Sequence, residues 1–334
     1  MAQCGIPRID GLLSGTNGVS AIGPRDPDKA AIGALQDLLA GLGQPGLPGL
    51  LSPNYGTFGP ATAQAVRNFC LQQSLPPQDS VDYQTLKAIV QAPAGLPIAS
   101  RSYLTLVLDF PFDSLTKVMS VTAQMEGAGR FSAQNRNSDH AGLSFGLIQW
   151  AQKPGRLTEI LRAFSTASSE DFTRIFGAGD AGLASALLIH TQKPKGGIDP
   201  ASGQTTDPAF DLIAEPWTSR FRAAAVFMPF QEVQVRTALK DFARSLAVIR
   251  QYAPQLKSER AVGFMLDLAN QFGDPGARSV YQNVQKPGMP QDELLRAIAD
   301  ESVERIQDAF KAGTQARRNH FLTTPFLSDG PFGS

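Results

Sequence analysis

The sequence predicts a mainly helical chain: a small three-helix domain, then a larger helix-dominated α+β domain with one short β-ribbon. Three observations carry that prediction. Apolar residues recur at helical spacing over most of the chain, as in Ile32, Leu35, Leu38, Leu39 and Leu42. A proline- and glycine-rich joint, Ala92-Pro-Ala-Gly-Leu-Pro97, interrupts them. A glycine-punctuated stretch from Leu143 to Trp150 is the one place after residue 113 that reads as a ribbon.

The elements follow in order. Residues 1–24 are rich in Gly and Ser with weak periodicity and are expected to form a loosely ordered leader. Residues 25–92 form the first domain: a helix from Asp28 to Leu42 closed by Gly43, a Gly/Pro-rich loop, a helix carrying Ala65, Val66 and Phe69 on one face, and a short third helix after Ser80-Val-Asp82. Residues 93–102 are the linker and 103–334 the second domain. There, Tyr103 to Phe110 alternates enough for a strand. Helices are expected at Asp113–Glu126, Arg156–Ala167, Asp180–Thr191, Pro216–Phe227, Gln231–Ala253, Ser258–Phe272 and Pro290–Ala312.

Composition excludes several classes. The chain has 334 residues, 42% of them hydrophobic, enough for a sizeable core, with 30 basic and 30 acidic side chains. Residues 1–100 carry five Lys/Arg against six Asp/Glu and the rest 25 against 24, so no basic face is expected for nucleic acid or anionic lipid. No apolar run is long enough for stable membrane insertion. The N-terminus lacks a basic region followed by an apolar core, so no secretory signal is expected. Cys4 and Cys70 have neither metal nor disulfide spacing, and Cys70 is expected to be an inert buried thiol. His140, His190 and His320 contain no pair at ligand spacing, so no metal and no cofactor are expected.

The first domain carries Leu35-Gln36, then Gly56-x-Phe58-Gly-x-x-Thr62, then Ala65-Val-x-x-Phe69, then Val81-Asp-x-x-Thr85-Leu86. This phrase order resembles the peptidoglycan-binding domain of cell-wall hydrolases over residues 28–91. It departs from that family in the lengthened loop Gln44–Ser52 and in Cys70 where Gln is usual. The resemblance implies a wall-binding role, with Tyr55, Phe58 and Thr62 as candidate residues. Most residues of the phrase also serve simply to shape a three-helix core.

The first glutamate in the chain is Glu126, at the end of an apolar helix and followed by Gly127-Ala-Gly129, where the chain must turn. The negative end of a helix dipole and apolar neighbours both disfavour an ionised carboxylate there, which suits a general acid. Asp139 is the candidate second carboxylate, in a composition that also favours turns. Carboxyl groups about 6.5–9.5 Å apart imply inversion of a glycosidic bond, and about 5–5.5 Å retention.

A helix ending in Glu and followed by a ribbon resembles the lysozyme superfamily. Ser144-Phe-Gly146-Leu-Ile-Gln149 is similar to the Ser-x-Gly-x-x-Gln phrase of goose-type lysozymes and lytic transglycosylases. Asp139-x-x-Gly142-x-x-x-Gly146-x-Ile148 resembles the ribbon of family-46 chitosanases, and Trp217-x-x-x-Phe221, Pro229-Phe-Gln231-x-x-Gln234 and Arg317-Arg-Asn-His-Phe321 resemble helix phrases of that branch. The similarity is scattered over residues 113–321. It implies Glu126 as acid, Asp139 as base or charge stabiliser, and Ser144, Gln149 and Trp150 in the cleft, with Asn270 also reaching it. Trp150 is equally readable as a buried ribbon residue.

Together these readings imply an endolysin-like peptidoglycan hydrolase, a monomer, with peptidoglycan as partner. The alternatives are a lytic transglycosylase using Glu126 alone, and a non-catalytic wall-binding part of a phage particle or secretion device. Such a protein would be made in the cytoplasm and reach the wall by lysis-linked release or injection, the latter with a secretion-machine or immunity partner.

Overall fold

A computed structural model describes residues 3–50, 52–92, 98–136 and 141–333. It is helix-dominated, with one small three-stranded antiparallel sheet. The helices run in chain order: α1 Pro7–Leu13, α2 Lys29–Gly41, α3 Pro60–Gln72, α4 Tyr83–Gln91, α5 Ser114–Gly127, α6 Arg156–Ala167, α7 Ser169–Phe176, α8 Ala181–Gln192, α9 Trp217–Ala225, α10 Met228–Tyr252, α11 Glu259–Val284, α12 Gln291–Glu304 and α13 Asp308–Thr323. Strands β1 Gln134–Arg136, β2 Leu143–Phe145 and β3 Trp150–Ala151 lie between α5 and α6. Residues divide into two compact units, 1–112 with 126–237, and 113–125 with 238–334.

In the first unit, α2, α3 and α4 surround one apolar core that includes Leu35, Leu39, Val66, Phe69, Leu86 and Ile89. Asp28 and Asp82 cap their helices by accepting from the Ala31 and Thr85 N–H groups at 3.0 and 2.9 Å. The first 24 residues do not form a loose leader. Pro7–Leu13 is helical, and Ile9, Leu12 and Leu13 are buried in the same core. A bridge between Ile22 and Val81 fastens the segment after α1. Weak periodicity hid this, because a seven-residue helix needs only one buried edge.

The strand expected at Tyr103–Phe110 is a π-helical turn over Tyr103–Val107. No partner strand meets it among the described residues, and its side chains serve two sides. Leu106 and Val107 pack on the N-terminal core while Tyr103 and Leu104 are buried. The Arg101 guanidinium donates to the Cys4 and Gly5 carbonyls, at 2.7 and 3.0 Å, tying this segment to the chain start. Of the expected linker, residues 93–97 lie outside the described residues.

The ribbon expected at 143–150 is present and gains β1. Gln134 pairs with Phe145, Asn135 with Ser144 and Arg136 with Leu143, and β2 pairs with β3 through Ser144–Ala151 and Phe145–Trp150. Its inner face meets a phenylalanine cluster: Phe145 lies 4.8 Å from Phe221 and 6.0 Å from Phe230, and Phe164 lies 4.6 Å from Phe230. Helix α7, absent from the sequence reading, adds Phe172 and Phe176 to this cluster.

In the second unit, α11, α12 and α13 pack together. The Asp267 carboxylate accepts from Arg317 at 2.6 and 2.9 Å and from Arg318 at 3.1 Å, with all three side chains buried. Glu259 accepts from Ser114, Lys117 and the Ser328 N–H, which holds its carboxyl below the ordinary range despite burial. The expected helix end at Phe272 is a kink: Gly273 takes φ 71° and α11 resumes beyond it. The expected single helix Pro290–Ala312 is two, α12 and α13, separated at residues 305–307.

Candidate functional site

Glu126 sits in the last turn of α5 and is half-buried. The helix end is fixed by three small residues. Ala128 and Gly129 both take left-handed conformations, at φ 54° and 67°, and reverse the chain, and Arg130 N–H closes the turn on the Gly127 carbonyl at 3.1 Å. Gly127 is where the helix comes closest to the ribbon. A Cβ there would lie 2.3 Å from Ala133 Cβ and 3.8 Å from Gln149 Nε2, so any side chain would push the helix end away.

Ala133 is the hinge-pin between the helix end and the ribbon turn. Its carbonyl accepts from Gly146 N–H at 2.8 Å and from Gln149 Nε2 at 3.2 Å. Gln149 Nε2 also donates to the Gly146 carbonyl at 3.0 Å, and Gln149 itself is left-handed at φ 55°. The amide of Gln149 is thus committed to holding the ribbon turn, with its side chain half-buried beside the end of α5. Behind it, Gln234 accepts from Leu147 N–H at 3.0 Å and donates to the Phe131 carbonyl at 3.1 Å. Gly146 admits Gln234: a Cβ there would lie 2.5 Å from Gln234 Oε1. Gln231 likewise accepts from Tyr103 Oη at 2.8 Å and donates to the Ala225 carbonyl at 2.8 Å. The repeated glutamines in this part of the chain are buried struts.

The Ser144-x-Gly146-x-x-Gln149 phrase and Glu126 therefore belong to one framework. Ser144 lies at the centre of the ribbon, mostly buried, opposite Asn135 and Ala151. Trp150 is a correction. It is fully buried in β3, so it cannot offer a ring face to a sugar, and the packing role accounts for it. Asp139 and His140 lie outside the described residues. Asn270 lies on α11 in the second unit, half-buried.

The three wall-binding candidates sit around one turn. Thr62 is buried and its hydroxyl accepts from Gln36 Nε2 at 3.0 Å; that amide also donates to the Thr57 carbonyl and accepts from Gly56 N–H. Phe58 is also buried. Both shape the fold, which corrects their reading as ligand contacts. Tyr55 is half-buried and its hydroxyl donates to Asp37 at 2.6 Å. Burial lifts the Asp37 carboxyl to about 7, against hydrogen bonds from Tyr55 and Ser100 that lower it.

Two features escaped the sequence reading. Gln152, fully buried, accepts from Leu143 N–H at 3.2 Å and donates to the Gly196 carbonyl at 2.8 Å. Its signal is the pair of glycines that admit it, Gly142 and Gly196, both left-handed and both sterically closed to a Cβ by Gln152. Glu215 is exposed and bound by the Ser219 and Thr218 groups and by Arg222, which together pull its carboxyl down to about 2. It stays ionised and anchors the start of α9.

Cys4 and Cys70 are free and buried; burial pushes the Cys4 thiol up to about 11, so neither offers a thiolate. His190 is buried, stacked on Phe210 at 4.9 Å, and burial lowers its affinity for a proton. Among the described residues, no three His, Cys, Asp or Glu side chains are grouped to hold a metal ion.

No family model matches the chain, and no curated protein matches it. Two solved structures are similar to it: native chitosanase from Bacillus subtilis MY002, at TM-score 0.43, and a mutant of that enzyme with six GlcN units, at 0.45. Each is 12% identical, and each match covers 64% of this chain and 86% of the other.

Proposed function

We propose that the chain is a glycoside hydrolase that cuts the glycan strand of peptidoglycan, with Glu126 as the general acid. The observation that supports this most is the helix end itself. Glu126 is held half-buried at a fixed point, where Gly127 abuts Ala133 and the Gln149 amide. A carboxyl group fixed in place, beside a backbone turn rich in carbonyl and amide groups, is what proton delivery to a glycosidic oxygen requires.

In the proposed reaction the Glu126 carboxyl gives its proton to the bridging oxygen as the anomeric C–O bond breaks. Asp139 supports the developing cation or directs water to it, and that water supplies the new hydroxyl and returns a proton. Ser144 and Gln149 border the sugar. Residues 25–92 act as the wall anchor, raising the concentration of the cutting site at an insoluble polymer. The protein acts on the wall after release by lysis or by injection.

Clearing of purified cell walls tests the proposal. Glu126→Gln is expected to abolish clearing while sedimentation with walls persists, and a fully active variant would refute the assignment. Mass spectrometry of the fragments separates hydrolysis, which leaves reducing ends, from transglycosylation, which leaves anhydro-muramyl ends. Wall binding with no soluble product from the unaltered protein would select a non-catalytic component instead.

A further inference from the structure

A cleft of about 360 Å³ opens in the first unit, lined by the loop that follows β3, the start of α6 and the loop that follows α8. That is a volume suited to a small ligand. Four cations border it, Lys153, Arg162, Lys193 and Lys195, against one carboxylate, Glu159. In a chain with equal numbers of acidic and basic groups, this is a local excess of positive charge.

The cations are not consumed by structure. Arg162, Lys193 and Lys195 are exposed and take part in none of the ion pairs among the described residues. Asp199, the other acid within electrostatic reach of Lys153, spends its carboxylate on the Ala201 and Ser202 N–H groups and the Ser202 hydroxyl.

The backbone adds to the same charge. Helix α6 begins at the cleft with Gly155 as its N-cap, left-handed at φ 85° and without a side-chain cap, so its first N–H groups face no carboxylate or hydroxyl of their own. Opposite, Lys195, Gly196 and Gly197 are three successive left-handed residues, a shape that gathers backbone N–H groups into a concavity suited to anions.

We propose that this cleft binds the phosphate group of a phosphate-bearing ligand. Three unpaired cations and a fourth at the rim exceed what a single carboxylate would neutralise, whereas a phosphate monoester carries up to two charges and three acceptor oxygens. Lysines at several points of a rim suit phosphate as point charges rather than as a planar fork. The proposal is independent of Glu126 chemistry.

Titration calorimetry of the full chain with inorganic phosphate at low ionic strength tests it, since screening would hide a surface-borne site. One saturable site is expected. The triple variant Arg162→Gln/Lys193→Gln/Lys195→Gln should weaken it by about tenfold or more, as charge-assisted bonds are lost, while Lys311→Gln should leave it unchanged. The altered residues are exposed, and an unchanged melting curve establishes that the variant is folded; should it melt lower, the single Lys193→Gln and Lys195→Gln variants carry the test with losses of about twofold to fivefold each.

No saturable site, or unchanged affinity in the folded variants, would overturn the proposal. Vesicles of phosphatidylglycerol and of phosphatidylcholine identify the source. Retention on the former alone, competed by phosphate, identifies a lipid headgroup, and no retention identifies a soluble phosphate ester; either outcome upholds the cleft. Wall clearing is read in parallel and is expected to be unaffected, so the two proposals fail separately.

Discussion

Replacing Gly127 by Ala puts a number on how tightly the end of α5 is held. Elsewhere in a helix the exchange would gain about 1 kcal/mol through propensity. Here the new Cβ would stand 2.3 Å from Ala133 Cβ. Carbon atoms rest about 3.5–4.0 Å apart, so roughly 1.5 Å must be found by moving one backbone segment away from the other. Overpacking of this kind costs about 1–3 kcal/mol, and opposed by the propensity gain it leaves a net loss of about 1–2 kcal/mol. In a domain of this size that is a fall of roughly 2–8 °C in melting temperature. The carboxyl of Glu126 moves with the helix end, and a displacement near 1 Å costs about 100-fold in rate. Melting by circular dichroism and wall clearing read the two effects. The control is Gly127→Ala/Ala133→Gly, which removes the opposing methyl and should recover most of both losses, a coupling of about 1–2 kcal/mol in the double-mutant cycle. A single variant that melts higher than the wild type and clears walls normally would refute the reasoning, as would a double variant no better than the single.

Two predictions concern stability alone. The Asp37 carboxyl, lifted to about 7 by burial, keeps its proton in the folded chain over a range where the unfolded chain has lost it. Folding therefore binds a proton between the ordinary value of 3.8 and about 7, and stability falls as pH rises through that window and levels above it. Asp37→Asn should flatten this slope in melting temperature against pH; an unaltered slope removes Asp37 as its source. Asp267→Ala takes away the carboxylate shared by Arg317 and Arg318 and should cost about 3–5 kcal/mol in urea unfolding. A loss below about 1 kcal/mol would show that the pair of guanidinium groups is held by other means.

The parts of the fold visible in the sequence were those written locally. Expected helices beginning at Asp28, Asp180 and Ser258 start where those side chains accept from N–H groups of the first turn. A cap is a contact over three residues, and periodicity lies within one element. What could not be read depends on distant partners. Tyr103–Phe110 alternates like a strand, yet what buries it is a core built from α2 and α4. Gln234 looks like any polar residue on a helix until its partners, Leu147 and Phe131, are brought to it from 87 and 103 residues away. The same holds at the candidate site. Glu126, Ser144 and Gln149 were singled out by type and spacing, but that Gln149 secures a turn, and that Trp150 is sealed, are facts of packing.

The Arg101 guanidinium clasps the carbonyls of Cys4 and Gly5, and Gly41 is pressed against Ile98 and Tyr103, whose hydroxyl reaches Gln231. An anchoring module joined this way does not swing on a leash. Were the N-terminal helices to hold a polymer, the distance from grip to cut would be a constant of the molecule, and the enzyme would behave as a ruler along the strand, not as a roving blade.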